Sequence, residues 1–100
     1  MSSPEWHVYL IRCGDGTLYT GVATDVSRRL EQHRSGEGKG AKYLRGRGPL
    51  QLVLEKTVGA RGVALSLESR IKKLRRAQKE ALIAHDGMIE EMIVQIAGEA

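Results

Sequence analysis

The chain has 100 residues, 41% of them hydrophobic, and a formal net charge of +4 at pH 7. We expect one domain over residues 1–100, since this length excludes a separate targeting domain. No apolar stretch reaches the ~20 residues of a membrane-spanning helix, and the first six residues do not resemble a signal peptide. Cys13 is the only cysteine, which excludes an internal disulfide and favours a cytoplasmic location.

The first predicted elements are two strands, residues 6–13 and 18–23, which are rich in β-branched and aromatic side chains. The loop between them decides their pairing. A two-residue turn would put Tyr9 and Tyr19 on opposite faces, whereas a three-residue loop, 14–16, puts them on one face. Gly16 suits the left-handed position of the longer loop, so we predict the shared face.

Asp25 is a good N-cap for a helix that we predict to end at about Arg34. Apolar spacing defines its buried stripe, which includes His33 at its end. Arg29 borders this stripe and should flank the core. Arg28 points almost the opposite way, and we expect it to be solvated.

The remaining chain alternates between loop, strand and helix signals. Residues 35–40 are predicted to form a connector and 41–45 a short helical turn. A third strand is predicted over 50–58, with Leu50, Leu52 and Leu54 on one side. Helical patterns follow over three segments: 61–76, 77–85 and 88–97. The acidic last part, 86–100, extends beyond the motif-bearing part of the domain, about 6–85.

Charge is unevenly distributed along this sequence. Basic stretches cover 28–47 and 61–79, whereas no lysine or arginine follows residue 79. This polarity favours a polyanionic partner, with DNA as the first candidate and RNA as the alternative; a solvated helix surface is the simpler explanation. We assign nucleic-acid contacts to six cations in these stretches: Lys39, Lys42, Arg45, Lys72, Arg75 and Lys79.

Several side chains have the chemistry that phosphodiester hydrolysis needs. Glu68 is a candidate ligand for Mg²⁺, although its spacing alone favours an ordinary helix pair with Lys72. Arg29 has a planar fork that can clamp a phosphate. His33, one helical turn later, can assist proton transfer or hold a phosphate.

Tyr9 and Tyr19 are candidates for moving a proton during the reaction. An ordinary tyrosine pKa is near 10, so a basic role requires a nearby cation that favours the phenolate. Two strand tyrosines also fit a purely structural packing role. The residues alone leave these alternatives open.

A longer pattern resembles the GIY-YIG nuclease superfamily, and in particular its small stand-alone YhbQ-like group. The matching segments are His7-Val8-Tyr9, Tyr19-Thr20-Gly21 and residues 25–33. The resemblance implies an α+β fold, with a three-stranded antiparallel sheet flanked by helices. It also implies a DNA nuclease dependent on Mg²⁺ or Mn²⁺, linked to DNA repair or recombination.

By the same resemblance, the catalytic set is Tyr9, Tyr19, Arg29, His33 and Glu68, with Glu68 as the metal ligand. Which tyrosine is the general base stays open. The chain departs from the family pattern in several places. Val22 stands where repair nucleases often have lysine, and the chain has no asparagine to follow the metal glutamate. Gln78 and Lys79 are candidate replacements for that asparagine.

These departures motivate two other hypotheses. The first is a nucleic-acid-binding module that keeps the fold without efficient catalysis. The second is a protein-interaction domain that uses the acidic, methionine-bearing segment 86–100.

Overall fold

The computed structural model describes residues 4–36, 44 and 46–99. Within these residues, strands and helices form an α+β fold around one antiparallel sheet, as predicted. The elements in chain order are β1 (Trp6–Arg12), β2 (Leu18–Ala23), α1 (Val26–Ser35), β3 (Gln51–Gly59), α2 (Arg61–Lys72), α3 (Arg76–Ala84) and α4 (Asp86–Gly98). The longest of these helices has 13 residues, and none in the described ranges could span a membrane.

The sheet has the strand order β2-β1-β3, which puts β1 at its centre. Ile11 pairs with Tyr19 and Tyr9 with Gly21, so the predicted register of the hairpin is confirmed. The loop is closed by Cys13 N–H donating to the Thr17 carbonyl at 2.9 Å. Tyr9 and Tyr19 consequently face the same side of the sheet.

The third strand departs from its predicted alternation. Leu54 pairs with Leu10, whereas Leu52 pairs with Ile11, the next residue along β1. One extra residue of β3, Val53, therefore stands between the two pairs as a bulge, which shifts the alternation by one. The prediction that Leu50, Leu52 and Leu54 share a side is wrong: Leu54 packs with the helices α2 to α4, and the other two pack on the opposite side.

Apolar side chains bury both faces of β1. The four central residues, 8–11, are at most 1% exposed. Val8 and Leu10 join the larger cluster, together with Ala64, Leu67, Ile71, Leu82, Ile89 and Ile96 from α2, α3 and α4. Tyr9 and Ile11 join the smaller cluster on the α1 side, which includes Val26 and Leu30. Tyr9 is therefore fixed from behind by a packed core.

Both ends of α1 have the expected signals. The Asp25 side chain accepts a hydrogen bond from Arg28 N–H at 3.0 Å, which confirms the N-cap. Gly36, with φ of +81°, ends the helix in the left-handed conformation. These caps fix the turn of α1 that presents Arg29.

The helix predicted over 61–76 ends earlier, at Lys72. Arg75 has an extended backbone, and its N–H donates to Gln78 Oε1 at 2.9 Å. This bond satisfies a backbone donor that would be left unpaired at the start of a new helix. The chain therefore turns between α2 and α3, and the Gln78 side chain is engaged in starting α3.

Candidate active site

An open hollow of about 690 Å³ lies where β2, α1 and α2 approach one another. Its described lining includes the side chains of Tyr9, Tyr19, Arg29 and Glu68. These four residues come from β1, β2, α1 and α2, so the fold brings together side chains that are up to 59 positions apart (68 − 9). The convergence that the sequence analysis required is therefore present.

The two tyrosines lie side by side at the floor of the hollow. Their ring centroids are 6.4 Å apart, with the ring planes at 43°. Tyr9 is 1% exposed, whereas Tyr19 is half-buried. Gly21 makes room for Tyr9, because a Cβ atom at Gly21 would lie 2.4 Å from Tyr9 Oη. The glycine of the second triplet thus sets the position of the first tyrosine.

His33 lies behind the tyrosines. Its Nε2 is 2.9 Å from Tyr9 Oη, and the direction of this hydrogen bond follows the His33 tautomer. The Tyr19 ring meets the His33 ring edge-on, with centroids 5.3 Å apart. His33 is 4% exposed and does not line the hollow. His33 therefore contacts the Tyr9 hydroxyl from outside this hollow, and its suggested contact with a phosphate stays a prediction.

Burial keeps both members of this pair neutral near pH 7. It is the main cause that raises the pKa of Tyr9 to about 12, with the neighbouring Tyr19 adding to the effect. Burial also lowers the pKa of His33, and the charge of Arg29 lowers it further. Tyr9 therefore keeps its proton at neutral pH and acts through hydrogen bonding.

Arg29 is half-buried and Arg28 is exposed, as the helical spacing predicted. Both arginines line the hollow, which the spacing did not predict for Arg28. Arg29 Nη1 donates to Gln32 Oε1 at 3.2 Å, and the Arg29 side chain also hydrogen-bonds the Tyr9 hydroxyl. These contacts orient the guanidinium group beside the tyrosines. A phosphate entering the hollow would meet a positioned cation.

Glu68 lines the hollow and also contacts Lys72, so the structure leaves both interpretations made from the sequence in place. Its carboxylate lines the hollow and is 19% exposed, and Lys72 Nζ lies 3.5 Å from its Oε2 atom. Among the described residues, no group of three or more His, Cys, Asp or Glu side chains is arranged to hold a metal ion. A single carboxylate in an open site fits Mg²⁺, which completes its coordination with water and phosphate oxygens.

Of the predicted nucleic-acid-binding cations, the three that the structure describes, Lys72, Arg75 and Lys79, do not line the hollow. Lys72 contacts Glu68, and Arg75 and Lys79 belong to the turn before α3 and to α3 itself. Lys39, Lys42 and Arg45 lie outside the described residues. Their roles stay predictions.

The hollow is also lined by residues that the sequence analysis did not select, among them Trp6, Arg61 and Leu65. Arg61, Leu65 and Glu68 follow the spacing i, i+4, i+7, which puts them on one face of α2. Once Glu68 had been selected, this spacing could have identified Arg61 and Leu65 as its neighbours on the helix.

A family model described as the GIY-YIG catalytic domain matches residues 5–81, which include every residue of this candidate site. The chain belongs to the GIY-YIG family. A UPF0213 protein of Cronobacter sakazakii is 53% identical over 88 residues, covering 88% of this chain and 90% of that protein. The UPF0213 protein SG0387 of Sodalis glossinidius is 55% identical over 84 residues, covering 84% and 77%.

Two solution NMR structures are similar to this GIY-YIG protein. The UPF0213 protein BH0048 from Bacillus halodurans is 45% identical, with a TM-score of 0.52 and coverage of 80% of this chain and 83% of that chain. The protein EF2693 from E. faecalis is 32% identical, with a TM-score of 0.59 and coverage of 83% and 86%. The fold is therefore shared with UPF0213 proteins.

Proposed function

We propose that this GIY-YIG protein is a divalent-metal-dependent nuclease that hydrolyses phosphodiester bonds of DNA. The observation that supports it most is the meeting of Tyr9, Tyr19, Arg29 and Glu68 at one accessible hollow. Each contributes a function that hydrolysis of a phosphodiester needs, and they come from four different elements of the fold. Packing alone does not require this combination of hydroxyl, guanidinium and carboxylate groups.

Arg29 binds the phosphate that is attacked. Its guanidinium group is held by Gln32 and by the Tyr9 hydroxyl, so little rearrangement is needed when charge develops on the phosphate oxygens. Tyr9 stays protonated, because its pKa of about 12 is far above neutral pH. We assign Tyr9 to positioning, through its bonds to Arg29 and His33.

Tyr19 is the residue that we assign to the attacking water. It lies beside Tyr9 but is half-buried, so its hydroxyl is within reach of the solvent in the hollow. A general base must be within hydrogen-bond reach of the proton that it accepts. Tyr19 meets this requirement better than Tyr9, because Tyr9 is only 1% exposed and has little access to the solvent in the hollow.

Glu68 would hold the divalent cation, Mg²⁺ or Mn²⁺. When bound, such a cation neutralises charge on the phosphate and assists departure of the leaving oxygen. Lys72 Nζ, 3.5 Å from Glu68 Oε2, lies beside the position that the cation would take. Glu68 is the one carboxylate that we assign to the cation, since the Asp25 carboxylate caps α1, and we therefore expect weak metal binding before DNA arrives.

The charge distribution supports nucleic acid as the substrate. Of the described residues lining the hollow, Arg28, Arg29 and Arg61 are cationic, and Asp25 and Glu68 are anionic. The same proposal places the protein in the cytoplasm with its DNA substrate, with a role in DNA repair or recombination.

The test is cleavage of single-stranded, flapped and branched oligonucleotides, with Mg²⁺ and with a chelator. We expect products only with the divalent cation, and loss of these products in Glu68→Gln. Glu31→Gln is the matched control, because it makes the same change at an exposed glutamate of α1. The ion pair that it removes, between Glu31 and Arg34, is long, at 3.9 Å. Cleavage that persists in the chelator, or in Glu68→Gln, contradicts the metal assignment.

The contact between Glu68 and Lys72 favours a second candidate function, a nucleic-acid-binding module without catalysis. In that case the pair is structural, and the positive hollow only binds phosphate. This alternative predicts salt-dependent binding with no metal-dependent product, even with protein in excess over DNA.

A further inference from the structure

The hollow continues past the tyrosines to a part that the proposed mechanism does not use. This end is lined by Trp6 from β1 and by Arg61 and Leu65 from α2. Trp6 is half-buried, with part of its indole packed against the large apolar cluster and part open to the hollow. The indole is therefore held firmly while it presents an aromatic surface to solvent.

Arg61 covers this aromatic surface. Its Cζ atom lies 5.5 Å from the centroid of the Trp6 ring, which is a cation–π distance. Arg61 is exposed, so its guanidinium group can leave the ring at little cost in packing. A flat aromatic group beneath a movable arginine matches the contacts that proteins make with unstacked bases and their phosphates.

The distance from this pair to the proposed chemistry is short. Arg61 and Glu68 are seven residues apart on one face of α2, which corresponds to about 10 Å along the helix axis. Trp6 and Tyr9 are three residues apart on β1, which again corresponds to about 10 Å. The register between β1 and β3 shifts between Trp6 and His7, where β3 has one extra residue, Val58.

The acidic groups around this end have partners. The Asp25 carboxylate accepts from Arg28 N–H at 3.0 Å, and Glu68 contacts Lys72 at 3.5 Å. The guanidinium groups of Arg28 and Arg61 therefore make this end of the hollow attractive to a phosphate chain.

We propose that Trp6 and Arg61 form a stacking subsite for an unpaired nucleotide next to the cleaved phosphate. The base lies on the indole, and Arg61 moves from the ring to the phosphate that follows. The inference rests on the proposed function for the identity of the ligand, since it takes the hollow to be the path of a nucleic-acid strand. It adds a subsite that positions the nucleic-acid strand relative to Tyr19 and Glu68.

The simplest competing role is structural, in which Arg61 and Trp6 only join the start of α2 to β1. The two roles differ in what Trp6 experiences when DNA is added. Trp6 is the only tryptophan in the chain, so its fluorescence reports on this site alone. Stacking of a base on the indole should quench the emission, whereas a structural role leaves it unchanged.

The experiment titrates an oligonucleotide of about ten thymidines into the Glu68→Gln protein in a chelator, so that no cleavage occurs. Free N-acetyltryptophanamide controls for absorbance by the DNA. We expect saturable quenching that follows binding measured by anisotropy of a labelled oligonucleotide. A blunt duplex of the same length should bind with little quenching, and oligouridine shows whether RNA enters the same subsite. Binding by anisotropy without quenching overturns the proposal.

Variants then separate stacking from folding. We expect Trp6→Leu to weaken single-strand binding about tenfold and Trp6→Phe to keep most of it, because phenylalanine retains an aromatic face. Arg61→Ala should weaken the same binding. Arg70→Ala is the matched control, since Arg70 is on the same helix, pairs with Glu99 and does not line the hollow. Equal losses for single strand and duplex in a Trp6→Leu protein that is still folded by urea denaturation contradict a stacking role.

Failure of this inference is distinguishable from failure of the proposed function. If wild-type protein cleaves with Mg²⁺ but Trp6 is not quenched, the nuclease proposal stands and the subsite is wrong. If Trp6 is quenched and no cleavage occurs, the subsite stands on a non-catalytic binding module.

Discussion

Gly21 illustrates how a single residue positions the candidate site. It pairs with Tyr9 across the hairpin, and the Tyr9 ring lies directly over its backbone. The Tyr9 hydroxyl then reaches both His33 and Arg29. A side chain at position 21 would therefore disturb Tyr9, and through it two other residues of the site.

We predict that Gly21→Ala lowers the free energy of unfolding by about 1–3 kcal/mol, the usual cost of overpacking a core. The added Cβ would be 2.4 Å from Tyr9 Oη, and Tyr9 is too buried to move freely. Urea denaturation measures the change. Gly62→Ala in α2 is the control, because its Cβ would meet nothing within 4 Å. Equal stability of Gly21→Ala and wild type would show that Tyr9 is not tightly held.

The buried His33 predicts a pH dependence of stability. Its pKa is lowered mainly by burial, so the unfolded chain takes up a proton at this residue before the folded chain does. Its stabilising effect is complete above the unfolded pKa of about 6.5 and is lost as the pH falls through the lower folded value. We expect the free energy of unfolding to decrease from pH 7 toward pH 5.

His33→Gln is the variant that tests this origin, because glutamine cannot be protonated in this range. Urea denaturation between pH 5 and pH 7 should show a flatter curve for His33→Gln than for wild type. His7→Gln is the control, because His7 is more exposed and lies at the β3 side of the sheet, bonded to Thr57. An unchanged slope in His33→Gln would assign the pH dependence to other groups.

At the level of elements, the predictable parts of the fold were those with strong local signals. The three-residue loop fixed the hairpin register, and Asp25 marked the start of α1. The bulge at Val53 was not predictable from the sequence of β3. It divides the side chains of this strand between the two core clusters, with Leu54 in the larger and Leu52 in the smaller. The end of α2 at Lys72 was also missed. It depends on a side-chain contact, the hydrogen bond from Arg75 N–H to Gln78 Oε1 that starts α3.

The same distinction applies to the site. Tyr9, Tyr19, Arg29 and Glu68 were selected by chemistry and by family resemblance, and the fold brings them together. The burial of His33 behind Tyr9 could not be read from helical spacing, which gives a face but not a depth. Trp6 was missed because a tryptophan at the start of a strand is usually a packing residue.

The start of α1 yields a prediction for a whole element. Asp25 caps the helix through its side chain, and its carbonyl oxygen accepts from Arg29 N–H at 3.1 Å. We expect Asp25→Ala to cost about 1 kcal/mol of stability, as measured by thermal or urea unfolding. We also expect the cleavage rate of the folded Asp25→Ala protein to fall, because the first turn of α1 orients Arg29.

Asp25→Asn is the matched control, since asparagine caps helices about as well as aspartate. It should retain stability and the position of Arg29. If Asp25→Ala and Asp25→Asn lose stability equally, the carboxylate charge matters more than the capping bond.

At the scale of the whole molecule, acidic groups of the C-terminal region neutralise cations that lie away from the hollow. Ion pairs join Glu80 to Arg12, Glu90 to Lys56 and Glu99 to Arg70. Ile89 and Ile96 of α4 belong to the large core cluster, so this helix also packs in the same core as the central strand β1. The polarity seen in the sequence thus becomes a fold in which these three acidic residues pair with cations outside the described lining of the hollow.

Protein interaction through α4 stays a prediction. Met88 is 40% exposed and Val94 is 69% exposed on this helix, beside the acidic groups. The ion pairs of Glu90 and Glu99 already engage part of its charge with the same chain.

The measurement that tests the account most directly is the single-turnover rate of oligonucleotide cleavage with Mg²⁺ in matched single variants. Each variant's folding is checked by urea denaturation. The account predicts losses on the order of a hundredfold or more in Tyr19→Phe, Arg29→Met and Glu68→Gln, with Glu31→Gln at the wild-type rate. Wild-type rates in the folded Glu68→Gln and Tyr19→Phe proteins would contradict it, because the chemistry would then lie outside this hollow.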